Sequence, residues 1–431
     1  MMKTKIIVRN DIVLGLLFVF FFCSRIAASV ITRSIGSESQ EQVYAIIFFL
    51  LLFLCVIKGK NNVFVPTIIY SGVALVIFVT YLIHPEYSEW FSHPTYGIAH
   101  AFLNPSWGIW AFAVVWLVRY DKDLYSYLRI SVWLLFVFLV LEFAMANHRG
   151  YWAVLDLDGS TKISEYDMEF GYNMLFPVSF FGTEAVLKKK PGFLLPWLIG
   201  FILILLGGSR GPVVWIPVIF IFLLPFVWRG AGIRKRVMIF IILTSSLIIC
   251  TIVLLNYKSI ASSLLVWFSK RNISSRTINS LLSGTFSDKN GRDKIYSMAI
   301  ELIRTGGPFG RGVYGDRYYI GNYFRWGYSH NIFLELLVSF GYVGGSVLIL
   351  LFVYGIVLLY RHSKMVETQI VFITFLSTSM KLILSNSFWY NSAFWALLVM
   401  MIKTRMEMEL NKRRRDFLSH TNTEMNIKLN L

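Results

Sequence analysis

Residues 191–228 read "PGFLLPWLIGFILILLGGSRGPVVWIPVIFIFLLPFVW", which is two apolar runs joined by a short, glycine-rich turn. A helix needs roughly 20 apolar residues to cross a hydrocarbon core of about 30 Å. The run from Pro191 to Leu206 has sixteen residues and the run from Pro212 to Trp228 has seventeen, so both fall short of that length. We therefore predict a helical hairpin whose turn, with Arg210, is recessed below the membrane surface.

The composition of the whole chain agrees with this hairpin. Of the 431 residues 56% are hydrophobic and 17% are aromatic, and the mean hydropathy is +0.62. A water-soluble fold cannot bury so much apolar surface, so most of it must face lipid. The three cysteines lie in apolar runs without the spacing of a metal or disulfide framework. We predict an all-α polytopic membrane protein with neither a zinc site nor a disulfide framework, and we expect no cofactor.

Apolar stretches of spanning length recur along the chain and predict about twelve transmembrane helices. The predicted spans are 12–31, 42–57, 63–83, 98–118, 129–147, 169–187, 192–206, 211–228, 237–256, 331–358, 366–384 and 388–402. Lys and Arg of short loops stay in the cytoplasm, and with both termini inside they fall on the inner side at every step. The turn at Arg210 then faces outward.

This topology divides the chain into four parts. Residues 1–256 hold nine N-terminal transmembrane helices, and residues 257–329 form a basic extracytoplasmic loop. Three C-terminal helices follow in residues 330–402, and residues 403–431 form a basic cytoplasmic tail. Basic residues just past a last span usually meet anionic lipid headgroups, so we assign the tail to the membrane surface and expect no nucleic-acid partner.

The outer loop 257–329 has eleven basic residues against four acids, a net charge of about +7. Loops longer than about 60 residues are exempt from the positive-inside rule, so the topology stands. Residues 293–304, "DKIYSMAIELIR", place apolar side chains on one helical face, and "SIASSLLVWFSKRN" has the pattern of an interfacial helix. The arginine-rich charge favours an anionic partner at a partly helical cap, because the guanidinium group matches phosphate oxygens.

Two positions stand out as functional candidates on the outer face. Arg210 precedes Pro212 at the start of a helix, where free backbone N–H groups attract anions. His330 in "YSHNIFLELLVSFGYVGG" lies where the basic loop re-enters the membrane, and histidine suits proton transfer near neutral pH. Ser329 or Asn331 can cap that helix, and Glu335 follows about one turn inside it.

Three stretches together resemble the O-antigen polymerase and O-antigen ligase superfamily of bacterial surface-polysaccharide assembly. They are "GGSRG" at the hairpin, "GRDKIYSMAIELIRTGGPFGRGVYG" in the outer loop, and "SHNIFLELLVSFGYVGG" at the next span. The resemblance covers roughly residues 170–360 and implies a membrane glycosyltransferase of the GT-C-like kind, independent of metal. By motif it implies that the functional arginines and histidine are Arg210, Arg292 and His330.

The resemblance also implies the reaction and its location. Members use undecaprenyl-diphosphate-linked oligosaccharides as donors and acceptors on the outer face of the bacterial cytoplasmic (inner) membrane. We expect a polymerase that extends capsule, exopolysaccharide or O-antigen chains, with a ligase as the alternative and a lipid-linked oligosaccharide flippase as the rival from another class. A flippase and a chain-length regulator of the same assembly system are possible partners. Further substrate-binding candidates are Arg304, Arg311, Arg325, Tyr296 and Glu335.

Overall fold

The structure of the protein is a computed structural model. It describes residues 2–35, 40–59, 63–93, 97–105, 107–118, 122–155, 161–164, 167–207, 210–229, 232–234, 256–269, 282–283, 291–324 and 327–429. The predicted span 237–256 therefore lies outside the described residues, except for its last residue, and so does the candidate Arg325.

Helices make up nearly all of the described chain. In the first half they are α1 (Met2–Phe22), α2 (Ser24–Ile35), α3 (Gln40–Gly59), α4 (Phe64–Ile83), α5 (Ser88–Phe91), α6 (Ile98–Leu103), α7 (Trp110–Leu117) and α8 (Lys122–Arg149). Then come α9 (Met168–Leu187), α10 (Leu194–Leu206), α11 (Arg210–Arg229), α12 (Tyr257–Ser269), α13 (Arg292–Gly306), α14 (Gly315–Gly321), α15 (Ile332–His362), α16 (Val366–Ser379), α17 (Lys381–Leu384) and α18 (Ser392–Leu429). Three single 3₁₀ turns, Pro85–Tyr87, Pro191–Phe193 and Phe388–Tyr390, join some of them.

Within the described ranges, six helices are long and apolar enough to cross a membrane, and a bent pair makes a seventh. The six lie in α3, α4, α8, α11, α15 and the α16–α17 segment. The prediction that both runs of the hairpin are too short to cross is therefore wrong for α11, whereas the run 191–206 is shorter than a span. The bent pair is α1 with α2, which meet at 83°, so the predicted span 12–31 is a broken helix. The predicted span 98–118 is likewise two short helices, α6 and α7. The multi-pass, helical membrane class is confirmed, whereas the number twelve stays a prediction.

One small sheet departs from the all-α expectation. Strand β1 (Trp152–Leu155) pairs antiparallel with β2 (Thr161–Ser164), with Trp152 opposite Ser164. The Trp152 ring packs on Phe170 of α9, with ring centroids 4.9 Å apart. The hairpin therefore lies over the end of α9 that begins at Met168.

Helix α9 forms the centre of the membrane part. It packs against α8, α10, α11 and α16, and nearly all of its side chains are buried. Because neighbouring helices cover it on several sides, α9 can keep polar side chains such as Tyr172 away from lipid. From Phe170 onward α9 therefore lies inside the helix bundle, whereas Met168 and Glu169 are exposed.

The outer loop folds against the membrane helices. The predicted helix at 293–304 is α13, and its predicted apolar face is the one that packs: Ile295, Ala299 and Leu302 are buried against Ile320 and Val338. The predicted interfacial helix is α12. The described part of the loop is thus attached to α15 by a small apolar core of its own.

A glycine-rich turn fixes α13 to a kink in α15. Gly341 has φ +70° inside α15, and the backbone N–H groups of Arg311 and Gly312 donate to the carbonyls of Val338 and Ser339 at 2.8 and 3.0 Å. Gly310 has φ +78°, and a Cβ there would lie 2.3 Å from the amide nitrogen of Gly341. The glycine-rich turn after α13 therefore donates two backbone hydrogen bonds to carbonyls at the kink of α15.

The variant Gly310→Ala is expected to destabilise the protein by at least about 2 kcal/mol, because the added methyl group combines a left-handed backbone with a clash. The melting temperature of the purified protein measures the effect. Gly72 of α4 is the control, since a Cβ there meets no atom within 4 Å. Equal melting temperatures for Gly310→Ala and Gly72→Ala would contradict the packing described here.

Candidate active site at the outer end of the bundle

His330 lies directly before α15. Asn331 is the N-cap, and its Oδ1 accepts hydrogen bonds from the backbone N–H groups of Phe333 and Leu334 at 2.9 and 3.3 Å. Of the two predicted caps, Asn331 is therefore the one that the structure uses. His330 itself has φ +52°, a left-handed conformation that costs a non-glycine residue about 1 to 2 kcal/mol.

The neighbouring residues hold His330 in this conformation. The amide and the hydroxyl of Ser329 both donate to Oδ2 of Asp316, each at 3.0 Å. Asp316 and Ser329 are fully buried, so these hydrogen bonds are shielded from water. The "SHN" motif is thus anchored on one side by Asp316 of α14 and on the other by the start of α15.

A buried ion-pair network lies behind this anchor. Nη1 of Arg317 donates to Oδ1 of Asp316 and to Oε1 of Glu335, both at 2.7 Å. Ser387 Oγ donates to the same Glu335 oxygen at 2.6 Å, and the Arg317 guanidinium lies 4.1 Å from the ring centroid of Tyr314. The network joins the outer loop, α15 and the segment before α18.

His330 is kept neutral at physiological pH. Burial and the positive charges of Arg292 and Arg317 lower the pKa of His330 to about 4. Its ring packs against Tyr328, with centroids 4.1 Å apart, and its Nδ1 is buried without a hydrogen-bond partner in the described residues. A neutral imidazole with one unused nitrogen can accept a proton or a hydroxyl hydrogen bond.

Arg292 begins α13 and is half-buried, close enough for its charge to act on three side chains of the site. One is His330, and another is the Tyr172 hydroxyl on α9. The third is Tyr296, whose pKa is raised by burial and lowered in part by the Arg292 charge. Arg292, Tyr296 and His330, predicted separately from the sequence, are therefore brought together.

Arg210 is the first residue of α11, so the helix begins at it and not at the following proline. The structure describes the backbone of Arg210 and not its side chain. The next residue, Gly211, lies against Tyr172, because a Cβ at Gly211 would be 2.0 Å from the tyrosine hydroxyl. Tyr172 therefore contacts the start of α11 and is also close enough to Arg292 for the arginine charge to act on it.

The other predicted substrate-binding residues have different surroundings. Glu335 is 1% exposed and serves the buried network. Arg311 donates to Thr305 Oγ1 at 2.7 Å and lies over the Tyr319 ring. Arg304 is 77% exposed, 3.9 Å from Glu301. These contacts give Glu335 a structural role and leave Arg304 at the solvent-facing side of α13.

Sequence reasoning did not single out Arg317, Asp316, Tyr172 or Lys381. "GDRYY" does place an acid beside an arginine, but adjacent opposite charges are common in a solvated loop. Lys381 of "STSMKLIL" does carry a signal, because a lone lysine at the end of an apolar run marks function or an interface.

A multi-pass helical membrane protein with a cationic site at the start of α15 is thus the class that fold and geometry define. Residues 195–349 match the family model described as O-antigen ligase, and they include Arg210, Arg292 and His330. This match supports the predicted resemblance to the O-antigen polymerase and ligase superfamily, whose members are glycosyl-transferring enzymes. A search of the curated proteins gives no match.

Proposed function

We propose that this protein transfers a growing glycan from undecaprenyl diphosphate to a lipid-linked repeat unit on the outer face of the bacterial cytoplasmic membrane. The observation that carries the proposal is that Arg292 lies close enough to His330, inside the family-matched region, for its charge to help keep the imidazole neutral. A cation and a base within one site are what a diphosphate leaving group and a hydroxyl acceptor require.

The chemistry follows from these groups. The acceptor hydroxyl oxygen forms a bond to the anomeric carbon as the bond from that carbon to the diphosphate oxygen breaks. The hydroxyl proton passes to the neutral imidazole of His330, and Arg292 and Arg210 stabilise the negative charge that develops on the diphosphate. The leaving group is already the anion of a strong acid, so the paired carboxylates of glycosidases are not needed.

A ligase is the second candidate, and the match described as O-antigen ligase favours it. Both reactions use the same donor and the same charge stabilisation, and only the acceptor differs. Surface polysaccharide from a strain that lacks the gene distinguishes them. A polymerase is expected to leave single repeat units at the surface, whereas a ligase leaves polymer on the lipid carrier. Loss of all surface units, with none on the outer leaflet, would contradict both and favour a flippase.

The low pKa of His330 predicts an unusual pH profile. Because the neutral imidazole is the active form, kcat/KM should stay level as pH falls from 8 and decline only near pH 4, not near the ordinary value of 6.5. In Arg292→Ala the decline should move to higher pH, because one of the charges that disfavour protonation is gone. Initial rates of the purified protein with a lipid-linked repeat unit measure this. A wild-type decline centred near pH 6.5 would contradict the assignment.

A further inference from the structure

Lys381 lies at the outer end of the bundle, where α17 begins directly after α16. Its ammonium group is 4.8 Å from the ring centroid of Tyr172. Among the residues that the structure describes, this ammonium has no hydrogen-bond acceptor and no ion-pair partner within 4.0 Å. A buried or half-buried ammonium without an acceptor is unfavourable unless something else supplies one.

Two other lysines over aromatic rings show the contrast. Lys188, at the opposite end of α9, lies 3.8 Å from the Tyr125 ring centroid and pairs with Glu367 at 3.1 Å. Lys403 lies over Trp116 and donates to two backbone carbonyls, those of Val115 at 3.2 Å and Val118 at 2.6 Å. Each of these lysines has its acceptors within the protein, whereas Lys381 has none among the described residues.

The nearby charges do not satisfy Lys381. The carboxylates of Asp167 and Glu169 and the guanidinium of Arg25 act on it through their charges. Asp167 is already engaged, because it pairs with Arg25 at 2.7 Å and accepts the backbone N–H of Glu169 at 2.8 Å. The side chain of Glu169 is exposed. Neither acid supplies a hydrogen-bond acceptor for the N–H groups of Lys381 among the described residues.

Lys381 is also joined to the candidate active site. The Tyr172 ring, 4.8 Å from the Lys381 ammonium, belongs to a side chain that also contacts Gly211 beside Arg210. The charge of Arg292 acts on the same tyrosine. The side-chain amide of Asn331, next to His330, donates to the carbonyl of Ile383 at 3.2 Å. The starts of α9, α11, α13 and α17 therefore meet around the Tyr172 ring.

We propose that Lys381, beside Tyr172, is a third cationic contact for the diphosphate of the lipid-linked substrate. This inference rests on the proposed glycan transfer. When the glycosyl group leaves, an ester oxygen of the diphosphate becomes an ionised oxygen, so the lipid diphosphate gains one negative charge. A further cation at this position stabilises the leaving group more than the donor, which favours transfer.

Binding of geranylgeranyl diphosphate to the full-length protein in detergent tests the proposal. Lys381→Met is expected to weaken binding about tenfold or more, the loss of one charge-assisted hydrogen bond, and Lys381→Arg to restore most of it. Uncharged geranylgeraniol should bind both variants as it binds the wild type. Lys188→Met is the matched control, because it removes a lysine that lies over an aromatic ring at the opposite end of α9. Melting temperatures establish that each variant is folded.

The outcomes separate the two claims. If Arg292→Ala weakens diphosphate binding and Lys381→Met does not, the role of Lys381 is wrong and the proposed function stands. Equal weakening by Lys381→Met and Lys188→Met would also overturn the role of Lys381, because the effect would then be a general loss of packing. If the wild type does not bind the diphosphate, or Arg292→Ala binds it as well as the wild type, the proposed function fails and the inference fails with it.

Discussion

Replacing His330 is expected to lower the rate of glycan transfer by about 10²- to 10⁴-fold, the usual contribution of a general base. His330→Asn is the informative variant, because asparagine accepts the left-handed backbone of this position without the basic nitrogen of an imidazole. The measurement is the initial rate of chain extension by the purified protein. The melting temperature should stay within a few degrees of the wild type, since the anchors at Ser329 and Asn331 remain.

His362 provides the matched control, since it lies at the other end of α15 and its Nδ1 is 3.0 Å from the carbonyl of Leu358. His362→Asn is expected to retain the wild-type rate. If His330→Asn extends chains as fast as His362→Asn, then His330 does not act as the base.

Arg317→Met is expected to destabilise the protein by about 3 to 5 kcal/mol, because removing one member of a buried ion pair leaves its partners uncompensated. The partners here are the carboxylates of Asp316 and Glu335, both 1% exposed or less. The fraction of monodisperse protein after extraction and the melting temperature measure the effect.

Arg292→Ala is the comparison for Arg317, because both guanidinium groups act on His330. Arg292 is half-buried and pairs with no carboxylate in the described ranges, so its loss should reduce activity and leave the melting temperature almost unchanged. If Arg317→Met were as stable as Arg292→Ala, the network would not be structural.

The sequence predicts the parts of this site that depend on local pattern. Helix α13 follows from the spacing of Ile295, Ala299 and Leu302, and the cap of α15 follows from Asn331 before an apolar run. Motifs predict Arg292 and His330, and the structure brings the charge of Arg292 close to the His330 imidazole. Periodicity and capping are properties of a few consecutive residues, so they can be read without a fold.

The rest of the site depends on contacts between distant segments. Glu335 looks like a substrate contact from its place one turn inside a span, and only the approach of Arg317 gives it another role. Lys381 and Tyr172 are more than 200 residues apart, so nothing local joins them. The bend between α1 and α2 is also hidden in the sequence, because each half is apolar enough to belong to one straight span.

The central claim is that His330 and its neighbouring cations drive transfer of a glycan from a polyprenyl diphosphate. The most direct test supplies the purified protein with a lipid-linked repeat unit in the presence of EDTA and counts released polyprenyl diphosphate against new glycosidic bonds. We predict one diphosphate released for each bond formed by the wild type, and neither product above background with His330→Asn. Bond formation without diphosphate release, or wild-type yields from His330→Asn, would contradict the claim.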